Sequence, residues 1–301
     1  MRALVTGGAG FVGQWLQEHL RQCGDEVAAP DADVTDPAAL GQALVAAAPD
    51  AVYHLAAITN VGESWGEPQR TFEVNAVGTL NLLEAARSLP SVPTVLLVCS
   101  AEVYGQVGPD DLPLTEASPL RPVSPYAASK VAAEFLGLQA HLAHHLPVIR
   151  VRAFNHIGPG QAPTFVVSSL ARQVAEADIR GGGVVKVGNL SPQRDFTDVR
   201  DVVRAYRLLV ERGVPGEVYN VCSGQAVAIE EIARYLLERA PGDVRLEVDP
   251  QRVRPVEVPV LRGDPQRLVA VTGWQREHSL HDTLDDVLAG WHRELAASER
   301  R

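Results

Sequence analysis

The octapeptide at positions 6–13, TGGAGFVG, constrains this chain more than any other feature. It follows a short apolar run at 2–6 (RALVT). It opens a segment, 11–24, whose apolar positions recur at helical spacing and which stops at Gly24. Gly7, Gly10 and Gly13 form a G-x-x-G-x-x-G turn between that strand and that helix. A pyrophosphate needs backbone N–H groups and close approach, so side chains must be absent there. A glycine triplet alone is weak evidence. In strand–turn–helix context it predicts a dinucleotide site, with Phe11 and Val12 part of the same cofactor-binding turn.

The rhythm beyond the turn supports this reading. Strand-like runs at 26–30, 51–57, 92–100 and 147–154 alternate with helical segments at 36–50, 71–88 and 124–145. Such alternation predicts an α/β fold, a Rossmann-type doubly wound parallel sheet. After Phe154 glycine and proline punctuate the chain. Short strands are expected at 184–188 and 216–221, and helices at 200–213, 228–240 and 283–295. The expected division is a dinucleotide-binding domain over 1–154, with segments near 186–212 returning to it. A smaller α/β substrate lobe is expected over most of 155–301.

Composition removes several classes. The 301 residues are 46% hydrophobic and 21% charged, which fits a folded chain with a sizeable core. A net charge of −10 with no basic block argues against nonspecific nucleic-acid binding. Cys23, Cys99 and Cys222 are too few and too far apart for a zinc site or a disulfide framework, so a reducing, cytoplasmic setting is expected. No apolar run reaches membrane-spanning length, and the strand beginning at position 2 leaves no signal peptide expected.

The second strand is expected to end at Asp31, eighteen residues after Gly13. An acid there accepts hydrogen bonds from the adenosine ribose and repels a 2′-phosphate. With no arginine following, NAD(H) is favoured and NADP(H) is the alternative. Asp33 reads equally as an acceptor for the adenine amino group or as a cap for the next helix, and Val34 as a backbone donor.

In SPYAASK, at 124–130, Tyr126 and Lys130 lie one helical turn apart and share a face. A nearby ammonium favours a phenolate, so the pair predicts a phenol tuned to trade a proton.

Taken together, TGGAGFVG, HLAA (54–57), Asn75 in VNAVGT, SAEVYG (100–105) and YAASK resemble the extended short-chain dehydrogenase/reductase family, the NAD-dependent epimerase/dehydratase/reductase group acting on sugar nucleotides. The resemblance runs from residue 1 to about residue 296. It implies Tyr126 as general acid/base, Lys130 as a ribose-binding ammonium that lowers the phenol's pKa, and Ser100 as a donor to the reacting oxygen. Leu55, Ala56, Ala57 and Asn75 would border the cofactor. Within the family, the stretches 153–161, 186–206 and 252–268 are most similar to the reductases that convert a GDP-4-keto-6-deoxyhexose to GDP-D-rhamnose. That similarity implies a GDP-linked substrate against Ser100, Ala101, Asn155, Gly188, Arg194, Arg254 and Glu257. Glu102 stands where related 4,6-dehydratases carry a proton-abstracting glutamate. A 4-epimerase or 4,6-dehydratase that retains NAD is therefore the alternative. The family also implies a homodimer joined through a four-helix bundle of the helices at 71–88 and 125–145.

Overall fold

The computed structural model describes residues 1–240, 242–252 and 258–298. The candidate ligand residues Arg254 and Glu257 lie outside the described residues.

The first half forms β1 (Arg2–Thr6), α1 (Phe11–Gln22), β2 (Glu26–Ala28), α2 (Pro37–Ala47), β3 (Ala51–His54), α3 (Pro68–Phe72), α4 (Gly78–Arg87), β4 (Thr94–Val98), α5 (Pro125–His144) and β5 (Val148–Ala153). The second half adds β6 (Asn155–Ile157), α6 (Val166–Ile179), β7 (Gly182–Val187), β8 (Gln193–Asp198), α7 (Val199–Arg212), β9 (Val218–Val221), β10 (Ala226–Ala228), α8 (Ile229–Leu237), β11 (Asp243–Val248), β12 (Val260–Leu261), α9 (Gln266–Thr272) and α10 (Leu280–Ser298).

Six strands make one sheet in the order β2-β1-β3-β4-β5-β9, parallel at every pairing. Both faces are covered, as parallel sheets require. Leu16, Leu20, Val203, Tyr206 and Leu209 of α1 and α7 bury one face. Leu40, Leu44, Leu82, Leu83 and Ala140 of α2, α4 and α5 bury the other. The period of two is visible in β5: Ile149, Val151 and Ala153 join the α1/α7 side, while the alternate residues Arg150 and Arg152 meet buried Glu134 of α5.

Three features differ from the sequence-based expectation. Residues 218–221, expected among the pieces of the second lobe, close the main sheet as β9. Of the segment 186–212, α7 packs into the main-sheet core, whereas 193–198 pairs with β6, β10 and β12 in a separate small sheet. The helix α6 was not anticipated; with α8, α10 and β7 it builds a second core around Leu170, Val174, Ile232 and Leu284. β7 and β11 form a two-stranded parallel ribbon beside it.

The helical run expected over 71–88 is continuous but not uniform. Residues Glu73–Val77 between α3 and α4 form a π-turn. Such one-residue insertions are frequent at functional sites.

Candidate active site

The main sheet reverses its strand order between β1 and β3, and ligands of such sheets bind beyond the carboxyl ends of the strands there. The glycine turn leaves β1 at this point. Gly7 has φ +68, and a Cβ on it would lie 2.8 Å from the Ala56 nitrogen, so the turn lies directly against the chain leaving β3. A Cβ on Gly13 would lie 2.4 Å from the Gly7 carbonyl oxygen and 2.7 Å from the Gly8 Cα. Both positions therefore need glycine for space, and Gly7 also for backbone angle. Gly10 is the N-cap of α1 and supplies no side-chain cap. The amides of Phe11, Val12 and Gly13 are those a helix leaves without an intrahelical acceptor. The turn thus fits a dinucleotide pyrophosphate at a helix N-terminus.

Around the adenosine end, β2 stops at Ala28, so Asp31 lies in the following loop and not at the strand end. It is exposed. Asp33 does not cap α2. Its Oδ1 accepts from the Thr35 amide (2.8 Å) and hydroxyl (2.7 Å), which holds its carboxyl below the usual range. Asp36 is the cap, accepting from the amides of Ala38 and Ala39. Val34 is buried against Gly78, and its carbonyl accepts from Asn81.

β4 and α5 assemble the reacting groups. Ser100 follows β4 in an extended conformation and caps the turn Ala101–Tyr104, accepting from the Glu102 amide at 3.2 Å. On α5, Tyr126 and Lys130 are almost wholly buried, like Ser100 and Ala101. The Tyr126 phenol lies near the Ser100 hydroxyl. Lys130 Nζ donates to the Val98 carbonyl at 2.9 Å, binding α5 to the end of β4.

The electrostatics correct one expectation. Burial pushes the Tyr126 phenol above its ordinary value, the neighbouring Ser100 hydroxyl opposes this, and Glu102 adds to it. The net direction is upward, not the lowering expected from Lys130. Lys130 itself is lowered by burial.

The Tyr126 backbone is held on both sides. Its N–H donates to Ser64 Oγ (3.3 Å), and its carbonyl accepts from Ser129 Oγ (2.7 Å). Sequence reasoning missed both serines, because neither sits in a motif whose spacing announces a backbone contact. Asn75 sits in the π-turn. Its side chain accepts from the Ile58 amide (2.8 Å) and donates to the Ile58 carbonyl (3.0 Å) and to Ser129 (2.9 Å). It therefore links the segment after Leu55-Ala56-Ala57 to the tyrosine helix.

On the second-lobe side, Asn155 lies on β6 opposite Phe196 of β8. His156 stacks on Phe11 of the glycine turn, with ring centroids 6.4 Å apart. Gly188 follows β7, beside the Arg252 carbonyl. Arg194 of β8 donates to the Gln193 and Val258 carbonyls at 2.9 and 2.8 Å. Asp195 beside it is buried and accepts from the Ser223 and Gly224 amides. Asp198 caps α7, while Asp201 accepts instead from the Glu277 and His278 amides. Among the described residues no cluster of metal ligands occurs, and no helix is long and apolar enough to cross a membrane.

A glycine turn at the switch point, with a strand-end serine facing a Tyr-x-x-x-Lys helix, defines a protein of the extended short-chain dehydrogenase/reductase type. The chain belongs to the GDP-mannose 4,6 dehydratase family, whose model matches residues 28–287. It is 41% identical over 297 residues to the GDP-6-deoxy-D-mannose reductase of Pseudomonas aeruginosa, covering 96% of this chain and 97% of the relative. Its fold is similar to the structure of RMD from Pseudomonas aeruginosa complexed with NADPH (38% identity, TM-score 0.90, 98% of this chain and 100% of that one). It is also similar to the Thermus thermophilus UDP-glucose 4-epimerase in complex with NAD (29% identity, TM-score 0.86, 97% and 99%).

Proposed function

We propose that this protein reduces the C4 ketone of a GDP-4-keto-6-deoxyhexose, converting GDP-4-dehydro-6-deoxy-D-mannose to GDP-D-rhamnose with a reduced nicotinamide cofactor. The observation that carries the reading is the almost wholly buried Tyr126–Lys130 face of α5, set beside Ser100 at the carboxyl end of β4 with Lys130 bonded to the Val98 carbonyl. The near full-length match to a GDP-6-deoxy-D-mannose reductase supports it. The cofactor supplies a hydride. Reduction of a ketone builds negative charge on its oxygen, which needs a proton and a second donor already in place. Tyr126 supplies the proton and Ser100 the second donor. Lys130 orients the cofactor ribose, and the amides of Phe11, Val12 and Gly13 hold its pyrophosphate. Ala101, Asn155, Gly188 and Arg194 border the sugar nucleotide.

Purified protein given the keto sugar and NADH is expected to consume one cofactor per sugar and to yield a GDP-6-deoxyhexose. Glu102 favours a second reading, because its charge reaches the Tyr126 phenol and a dehydratase needs a base beside that group. Turnover of GDP-mannose with no net cofactor consumption, and none of the keto sugar, would decide for that dehydratase.

The adenosine end favours NADH. Asp31, Asp33 and Asp36 crowd this loop. Arg70 is held by Glu73 at 2.8 Å and reaches Asp33 only at 4.0 Å. A 2′-phosphate would meet this acidic loop. We expect kcat/KM for NADH to exceed that for NADPH by about tenfold or more, roughly the effect of 1.4 kcal/mol. Asp31→Ala should narrow the gap; an NADPH preference in the wild type would refute the assignment.

We also propose a homodimer through the helical run of α3, the π-turn and α4, together with α5, where Phe72, Val77, Leu80, Phe135 and Leu142 are exposed. Large apolar side chains left exposed on neighbouring helices are the kind of surface that marks interaction sites. Sedimentation should give twice the chain mass, and Phe135→Glu with Leu142→Glu should give monomers. A monomeric wild type would contradict the pairing. The unpaired thiols, with Cys99 and Cys222 buried, accord with a reducing, cytoplasmic setting.

A further inference from the structure

A line of buried polar side chains runs from the glycine turn to the backbone of Tyr126. Thr6 Oγ1 lies 2.8 Å from His54 Nδ1, and His54 Nε2 lies 3.1 Å from Thr79 Oγ1. Thr79 Oγ1 donates to the Asn75 carbonyl at 2.7 Å. The Asn75 side chain donates to Ser129 Oγ at 2.9 Å, and Ser129 donates to the Tyr126 carbonyl at 2.7 Å. Each of the five side chains before Tyr126 is no more than 3% exposed.

The protons in this line can be placed by elimination. The single hydroxyl proton of Thr79 goes to the Asn75 carbonyl, so toward His54 this oxygen can only accept. His54 must then carry its proton on Nε2. Nδ1 is left bare and accepts from the Thr6 hydroxyl, whose oxygen accepts in turn from the Ala56 amide at 3.3 Å. Every contact pairs one donor with one acceptor, and no donor faces a donor.

We propose that His54, fixed as its neutral Nε2–H tautomer, is a positioning residue that ties the strand end bearing the glycine turn to the π-turn and helix that aim Tyr126. The inference rests on the reading of Tyr126 as the proton donor. His54 touches no reacting atom. Its ring sets the distance between β1 and the π-turn, and Asn75 transmits that distance to Ser129. Burial and the neighbouring Lys130 ammonium both oppose a charge on the ring, which keeps the acceptor at Nδ1 available.

Two measurements test this. Nitrogen-15 NMR of histidine-labelled protein should show an Nε2–H, Nδ1-bare ring for His54 at neutral pH. The same tautomer should be lost as a distinct signal in His54→Leu. Steady-state kinetics normalised to folded protein should show kcat lowered about tenfold to a hundredfold in His54→Leu and in Thr79→Val, the scale of a sub-ångström to ångström misplacement. KM for the sugar nucleotide should stay within about threefold in that same comparison, and His54→Gln, which restores a donor toward Thr79, should recover most of the rate. An Nδ1–H ring, or variants that melt earlier yet turn over at the wild-type rate, would overturn the proposal. Should His54→Leu fail to fold, Thr79→Val, which replaces one hydroxyl by a methyl, decides the kinetic arm. If the wild type reduces none of the keto sugars, the reading of the reaction fails, while the tautomer measurement still decides the hydrogen-bond line.

Discussion

Tyr126→Phe is expected to lower kcat by about three orders of magnitude, the middle of the range for loss of a positioned general acid. The substitution removes one oxygen and leaves the buried ring in place. Cofactor affinity, set by the glycine turn and by Lys130, should change by no more than about twofold in the same protein, because no uniform binding is removed. Because burial raises the phenol, the group stays protonated at neutral pH. As the acid in reduction, it is competent below its pKa and fails as pH rises through it. The wild-type kcat attributable to Tyr126 should therefore hold level from neutral pH to above the ordinary tyrosine value, about 10. A descending limb near neutrality would assign the proton to another group.

Glu134→Ala should be the most destabilising single change. The carboxylate is fully buried and receives Arg152 through two hydrogen bonds, at 2.7 and 3.0 Å, and Arg150 at 3.5 Å. Arg152 also donates to the Tyr104 hydroxyl (3.1 Å) and the Glu116 carbonyl (3.0 Å), fixing the segment that follows Ser100 and Glu102. Removing the carboxylate leaves two buried guanidinium groups without their counter-charge, which costs about 3–5 kcal/mol. For a chain of this size that lowers Tm by about 5–8 °C. Thermal denaturation followed by circular dichroism reads this directly. A shift of about 1 °C would show that the arginines find other partners.

What the sequence announces is local. The glycine turn, the Tyr126–Lys130 spacing and the strand-end Ser100 each depend on a few adjacent residues, and the structure brings them together at the sheet's carboxyl edge. What it conceals depends on distant partners. Residues 193–198 (QRDFTD) show no apolar alternation, yet form β8 because Asp195 is satisfied by amides of 223, 224 and 263. Helix α6 has no start signal: its N-cap is Phe165, without a side-chain cap. Residues 218–221 pair with β5 because Arg150 to Ala153 offers an open edge, a fact of topology absent from their own composition. The shift at Tyr126 escaped for the same reason, since spacing reveals Lys130 but not burial. Glu134, two turns after Tyr126, was legible as a helical position and illegible as the counter-ion of two arginines on a strand.

Hydride delivery to the sugar is the claim on which the rest depends, and isotope transfer tests it most directly. The protein would be incubated with GDP-4-keto-6-deoxymannose and NADH deuterated at the transferring carbon, and the sugar product examined by NMR and mass spectrometry. One deuterium at C4 of the hexose per cofactor oxidised, with Tyr126→Phe slowed by the predicted factor, is the expected result. A product with no label at C4, or cofactor that remains reduced while the sugar is altered, would contradict it.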